Sequence, residues 1–358
     1  MHRHGTCQTR AVPDTAESLG ARELSRQARA EGPLVTVRGA SRQYGDLVAV
    51  DDVTLDVARG TILGVIGPSG SGKTTLVRML TGTLTPTKGE LRVLGQEPRK
   101  FTRHVRERIG YMPQHFVLSE ELTASENVSF VASLFGLLWP RRGRRVREVL
   151  QLVDLWEARG RRARQLSGGM QRRLELACAL VHDPTVLFVD EPTAGLDPML
   201  RQTIWTEFRR LRDAGRTLVV TTQYVGEAEY CDRVAVLANG QLVALATPED
   251  LRRSAIGGDV VQVATAQPFD GDLLRQVAGV RNIDQTTPRH LLVVTDDAGE
   301  TIPRLVQEVS KAGGEVVSSS EYRPSFDEVF AKLVANGGDA ATSAGGAGGS
   351  ERHVPRAA

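Results

Sequence analysis

Cysteine is almost missing from this chain. Three thiols, Cys7, Cys178 and Cys231, lie far apart in 358 residues. They suit neither a disulfide framework nor the paired spacing of a zinc site, and they point to a reducing cytosol. Lysine is nearly as scarce. Lys73, Lys88, Lys100, Lys311 and Lys332 are the whole set, and arginine carries the remaining positive charge. At a formal net charge of +2 there is no global basic footprint, so no nucleic-acid partner is expected. Long apolar runs are absent too. The best candidate, VSFVASLFGLLWP at 128–140, is too short for a bilayer and contains Ser and Gly. The first residues carry no apolar stretch of a secretory leader. Any action at a membrane is therefore expected to need a span from another chain.

What is present has the composition of a soluble globular protein, long enough for one large domain with a smaller one attached. Residues 1–32 are polar and weakly periodic and are expected to be a disordered tail. From Pro33, alternating apolar and polar residues predict antiparallel strands. Further on, short apolar runs alternate with helical patterns, which is the signature of an α/β fold. Residues 254–335 read as a separate βαββαβ unit, with LLRQVAG as its first helix and PSFDEVFAKLV as a closing one. Residues 336–358, rich in Gly, Ala and Ser, are expected to be a flexible tail. The expected domains are thus 33–253 and 254–335, between two tails.

One stretch carries the strongest chemistry. GPSGSGKTT comprises Gly67, Pro68, Ser69, Gly70, Ser71, Gly72, Lys73, Thr74 and Thr75, and it fits G-x-x-x-x-G-K-[ST]. Glycines let backbone N–H groups turn inward around phosphate oxygens, the lysine reaches the β- and γ-phosphates, and the hydroxyl holds Mg²⁺. The apolar TILGVIG before it and the helical TTLVRMLTG after it place the phosphates at a helix N-terminus, where orphan N–H groups favour anions. A second such place follows far along the chain. Ser167, Gly168 and Gly169 precede a long amphipathic helix. A serine cap alone explains Ser167 but leaves the glycine pair unexplained. In TVLFVDEP, a buried-strand pattern ends in Asp190 and Glu191, at the carboxyl edge where open α/β sheets bind ligands. One acid can support Mg²⁺ and its neighbour can polarise a water.

Several features stay open on local grounds. Gln114 could accept from a metal-bound water or simply be solvated. Tyr44 could stack on a purine or be an ordinary surface tyrosine. The arginine runs at 141–147 and 159–164 could face anionic lipid or be solvated faces. Ser125 looks like the N-cap of the helix that begins SENVSF.

The order of these pieces resembles an ABC-family nucleotide-binding cassette over about residues 34–250. Walker A falls on 67–75, the Q-loop on Gln114, the signature LSGGMQ on 166–171, Walker B on 186–191 and the D-loop on 194–197. The resemblance implies a P-loop NTPase with an antiparallel β subdomain and a helical subdomain, followed by a small ferredoxin-like C-terminal domain. It implies ATP and Mg²⁺ as ligands, an adenine-stacking role for Tyr44, and a head-to-tail dimer with a second copy. In that dimer the Ser167–Gly168–Gly169 loop completes the partner's site, and Asp197 of the D-loop is counted among the nucleotide-binding residues. Glu191 is then the catalytic base, Asp190, Thr74 and Gln114 form the metal shell, and Lys73 stabilises phosphate charge.

One position departs from the common pattern. Gln223 stands where the family usually has a switch histidine, and it cannot carry a proton at neutral pH. TTQYVGEAE and PSFDEVFAKL resemble the daunorubicin-resistance type of export ATPases, so Gln223 is expected to be a working variant. The resulting expectation is the ATPase subunit of an exporter for a drug-like or hydrophobic compound. It would work with a separate membrane permease from the cytoplasmic face, and the apolar residues 130–139 are a candidate dock or simply part of the helical core. The alternatives are a soluble non-transport ABC protein, an ATP-binding switch with weak hydrolysis, or, less well matched, an importer ATPase.

Overall fold

The computed structural model describes residues 32–344. Cys7 and the tail expectations for 1–31 and 345–358 lie outside the described residues. Three sheets organise the rest. A three-stranded antiparallel sheet, ordered β2-β1-β4, is made by β1 (Val35–Tyr44), β2 (Leu47–Val57) and β4 (Lys88–Val93). Their alternating apolar side chains pack against α1 (Lys73–Leu80), with Val35, Val37, Val53 and Leu76 in one core.

The central sheet has six strands, ordered β5-β6-β7-β3-β8-β9. These are β3 (Ile62–Ile66), β5 (Ile109–Met112), β6 (Val186–Asp190), β7 (Thr217–Thr222), β8 (Arg233–Ala238) and β9 (Gln241–Ala246). All neighbours run parallel except the β8–β9 hairpin. Strands β3, β6 and β7 are buried at every residue, as expected where helices cover both faces. Register pairs Ile66 with Thr222 and Asp190 with Thr221, so the three carboxyl ends lie side by side.

Helices α3 (Ala124–Leu134), α4 (Arg141–Leu152) and α5 (Gly168–Leu180) form the helical region, with Val128, Val149 and Leu174 in a shared core. The cap of α3 is Thr123, not Ser125. Thr123 Oγ1 accepts from the Glu126 N–H and Glu126 Oε2 accepts from the Thr123 N–H, a reciprocal pair that Ser125, inside the first turn, cannot make. The arginine runs are largely tied into the protein. Arg145 donates to the carbonyls of Leu180 and Val181 and to Asp183. Arg162 and Arg164 share Glu121, and Arg147 and Arg159 cover the Trp156 ring at 5.0 and 4.4 Å. Helix α2 (Arg103–Arg106) is a single turn, and α6 (Pro198–Asp213) packs Trp205 and Phe208 under the central sheet.

After α7 (Pro248–Ile256) comes a four-stranded antiparallel sheet ordered β11-β12-β10-β13. It consists of β10 (Asp259–Thr265), β11 (Val280–Thr287), β12 (His290–Thr295) and β13 (Val316–Tyr322), with α8 (Ala298–Lys311) on one face. This is the ferredoxin-like strand order, but the expected LLRQVAG helix is only a 3-10 turn, Gly271–Gln276. Leu274 is its one buried apolar side chain, too little to hold a longer helix against its nucleation cost. The last helix, α9 (Phe326–Ala344), reaches past Asn336 into the stretch read as tail. Its first turns do not belong to the small sheet's core. Phe326 and Val329 join the core of the cassette instead. Among the described residues no helix is long and apolar enough to cross a membrane.

Candidate active site

The loop after β3 can only be built with glycine at two places. A Cβ on Gly67 would lie 2.2 Å from the Leu237 carbonyl oxygen, and one on Gly72 would lie 2.4 Å from that of Ala49. Gly72 also sits at φ +99°. The loop closes into α1, whose first turn holds no acidic residue. With no side-chain cap from Gly72 either, the first N–H groups stay at the positive end of the helix dipole without an acidic partner in that turn. Pro68, Ser69 and Gly70 are exposed, while Thr74 and Thr75 lie half-buried on the first turn. Lys73 is only 4% exposed. Its Nζ donates to the carbonyls of Gly67 (2.8 Å) and Pro68 (2.9 Å) and stands 3.6 Å from Glu191 Oε1. Burial holds its pKa below the ordinary lysine value, and the Glu191 carboxylate opposes that shift.

The acids meet this loop from β6. Asp190 is fully buried. Its Oδ1 accepts from Thr221 Oγ1 at 2.6 Å and from Thr74 Oγ1 at 3.1 Å, whereas Oδ2 has no partner. Glu191 follows at φ +49°, a left-handed conformation that costs a non-glycine residue free energy. Two bonds hold the turn: its N–H reaches the carbonyl (3.1 Å) and Oγ1 (3.0 Å) of Thr221. Its carboxylate then lies between Lys73 and Gln114, whose Nε2 donates to Oε2 at 2.9 Å. Gln223, just past β7, accepts from Ser69 Oγ at 3.0 Å. Loops after β3, β5, β6 and β7 thus converge on one edge of the sheet.

The other sequence-predicted residues have local bonds. Ser167 Oγ caps α5 by accepting from the Met170 N–H, and Asp197 caps α6 by accepting from Met199 and Leu200. A Cβ on Gly169 would strike Leu200 at 2.4 Å, while one on Gly168 would meet nothing, leaving that backbone open. Gly168, Gly195, Leu196 and Gln114 line one open cleft. Tyr44 is exposed on the three-stranded sheet, with the Arg42 guanidinium 4.6 Å from its ring centre.

Residues 50–194 match the family model described as ABC transporter, and residues 247–334 match one described as ATP-binding protein DrrA1-3-like, C-terminal domain. The daunorubicin resistance ATP-binding protein DrrA3 of Streptomyces coeruleorubidus is 40% identical over 301 residues, covering 84% of this chain and 95% of the relative. The chain belongs to the ABC transporter ATP-binding proteins. The daunorubicin/doxorubicin resistance ATP-binding protein DrrA of Streptomyces peucetius is 36% identical over 85% of this ABC ATPase and 93% of the relative. Nod factor export ATP-binding protein I of Cupriavidus pinatubonensis is 37% identical over 84% and 90%. Among solved structures, a dimeric bacterial ABC transporter cassette aligns with a TM-score of 0.56 at 27% identity, over 60% of this chain and 98% of that one.

The donor set of this ABC ATPase suits a hard divalent cation. Asp190 Oδ2 is a buried carboxylate oxygen without a hydrogen bond, a costly arrangement unless a cation faces it, and the Thr74 hydroxyl is bonded to its twin oxygen. Among the described residues no cluster of three or more His, Cys, Asp or Glu forms a protein-only cage. One carboxylate and a hydroxyl instead match how Mg²⁺ is shared between protein, water and substrate phosphates.

Two supports escaped sequence reasoning. Thr221 holds both acids from the neighbouring strand, a cross-strand relation with no local signal. Arg172, on α5, donates to Pro113 O at 3.1 Å and to Gln114 O, and it pairs with the buried Glu175, whose pKa burial pushes up. The Arg–Glu spacing of three in QRRLE was visible, but its target was not.

Proposed function

We propose that this ABC ATPase drives an exporter of drug-like or other hydrophobic compounds, hydrolysing Mg-ATP in a head-to-tail dimer. A separate membrane permease would carry the path, with the ATPase peripheral on the cytoplasmic face. The observation that carries the chemistry is the Glu191 carboxylate, held between Lys73 and Gln114 beside the unpaired oxygen of Asp190.

In this reading the backbone N–H groups from Gly67 to Thr75 and the Lys73 ammonium bind the β- and γ-phosphates, and Tyr44 stacks on adenine. Thr74, Asp190 and Gln114 hold Mg²⁺. The charge of Mg²⁺ held by these residues would offset that of the phosphates. Glu191 accepts the proton of the attacking water; its strained backbone and its bond to Gln114 aim it. Gln223, tethered to Ser69, donates an amide hydrogen to the γ-phosphate. Positioning and electrostatics supply most of the rate. The open backbone at Gly168, with Ser167 and the Asp197 loop, offers the partner's nucleotide a second anion site.

The permease dock is assigned to the corner between α3 and α4. Phe130, Leu134, Leu138 and Trp139 are 56%, 67%, 77% and 74% exposed there, more apolar surface than a solvated corner needs. Crosslinks from these positions to the permease are expected; a crosslink map that avoids them all rejects the dock.

ATP turnover by the purified protein, abolished in Glu191→Gln, is the test of the main reading. Mg-ATP binding by the wild type with no turnover at all would instead establish the ATP-binding switch, the second reading, which rests on glutamine at position 223.

A further inference from the structure

Just beyond Gln223 lies a 3-10 turn, Val225–Tyr230, with an expensive feature. Glu227 in this turn is 2% exposed, and neither of its carboxylate oxygens has a hydrogen bond. A buried carboxylate needs a cation. The one facing it is Arg201, one turn into α6, with Nε 3.7 Å from Oε1. That Nε–H is itself without a hydrogen-bond acceptor. The guanidinium makes two further contacts. Nη2 donates to the Leu196 carbonyl at 3.2 Å, and the plane lies 3.9 Å from the centre of the Tyr224 ring. Arg201 therefore touches the 194–197 loop on one side and the residue next to Gln223 on the other. The far side of the turn is anchored separately. Arg252 pairs with Glu229 and donates to Pro324 O, and Phe326 packs beneath.

We propose that Arg201 is a positioning residue that couples the 194–197 loop to Gln223. The Arg201–Glu227 pair is buried on the carboxylate side and has no hydrogen bond. It is open: an unused N–H faces an unused carboxylate oxygen, and closing by under about 1 Å would bring them to bonding distance. A movement of Leu196 and Asp197, such as engagement of a second copy would cause, shifts Arg201 through the Leu196 carbonyl. The stacked Tyr224 and the paired Glu227 then carry that shift to the segment that directly follows the switch glutamine. The inference rests on the reading that Gln223 touches the γ-phosphate and that the 194–197 loop meets the second copy.

A double-mutant cycle on the purified full chain tests it, using Arg201→Met (which keeps the apolar stem), Gln223→Ala and the pair, with kcat and the Mg-ATP dissociation constant measured for each. Arg201→Met is expected to lower kcat about ten-fold, leave the dissociation constant within about two-fold, and add nothing further in the Gln223→Ala background. An equal loss in both backgrounds would make Arg201 merely structural and overturn the coupling, as would an unchanged kcat. If Gln223→Ala alone leaves kcat unaltered, the γ-phosphate role of Gln223 fails first, and the coupling with it. Should Arg201→Met not fold, Arg201→Lys, which keeps the charge but loses the planar fork, carries the same cycle.

Discussion

At the carboxyl ends of β3, β6 and β7 the molecule buries charge it cannot easily neutralise. Lys73, Asp190 and Glu191 are all buried, Glu191 is held in a left-handed turn, and one Asp190 oxygen has no partner. Among the described residues, the C-terminal sheet and the helix α8 on it bury threonines as their polar residues, Thr265 and Thr295 on strands and Thr301 on α8. Its core is aliphatic, with Phe269 at one edge. Both sheets follow the same rules of patterning and packing. They differ in where strain is stored, and stored strain with unpaired polar atoms marks the place built to meet a ligand. In the small unit the Ser319 hydroxyl is a buried side-chain group without a partner, and packing at Phe326 and Val329 is among the contacts that follow it onto the cassette.

The largest effect should come from removing the strained acid. Glu191→Gln keeps size and the Gln114 contact, so Mg-ATP binding should persist while single-turnover hydrolysis falls about 10²- to 10⁴-fold. Unchanged hydrolysis would break the contrast at its centre. Next comes the joint between the two units. Phe326→Ala should cost about 3–5 kcal/mol in urea unfolding followed by nucleotide binding, because it opens a cavity in the cassette core. Leu305→Ala, in the small unit's own core, should cost about 2–5 kcal/mol but leave kcat unaltered. If Leu305→Ala lowers kcat as much as Phe326→Ala, the two regions are not separable.

The smallest effect is expected at the opposite edge of the central sheet. His182 stacks on Phe135 at 3.7 Å and bonds the Ile109 carbonyl at 2.9 Å. Burial holds its pKa below the ordinary value of 6.5, outweighing the bond to Ile109. The folded ring therefore resists a proton that the unfolded chain accepts, so stability is full above pH 6.5 and falls as pH drops below it. His182→Gln should flatten that slope between pH 7.5 and 5.5 in urea midpoints. An unchanged slope would place the acid sensitivity elsewhere.

Much of the active edge was legible because phosphate chemistry demands contiguous residues. A P-loop needs its glycines, lysine and hydroxyl in one turn, and a strand ending in Asp190 and Glu191 announces itself by pattern. Bonds made across strands were not legible. Nothing near Ser69 in sequence names Gln223, and nothing near Asp190 names Thr221, since parallel strands are joined only by long crossovers. Short helices were misread for a related reason. Thr123 and Ser125 both qualify as caps by type, and only the reciprocal bond with Glu126 chooses. LLRQVAG has helical residues but one anchoring side chain. The arginine runs left lipid-facing and solvated readings open, and partners such as Glu121, Trp156 and Asp183 could not be assigned from the runs themselves.

By itself, then, the amino-acid order determined that this chain binds a nucleoside triphosphate on an α/β sheet, because the phosphate cradle and the buried strands are local patterns of residue type. Tertiary structure alone decided that Phe326 and Val329 belong to the cassette rather than to the small sheet that precedes them. It also decided that Asp190 keeps one bare oxygen and that Arg201 stands between two loops. Burial and pairing depend on what folds back from far along the chain, and no local window of residues contains that information.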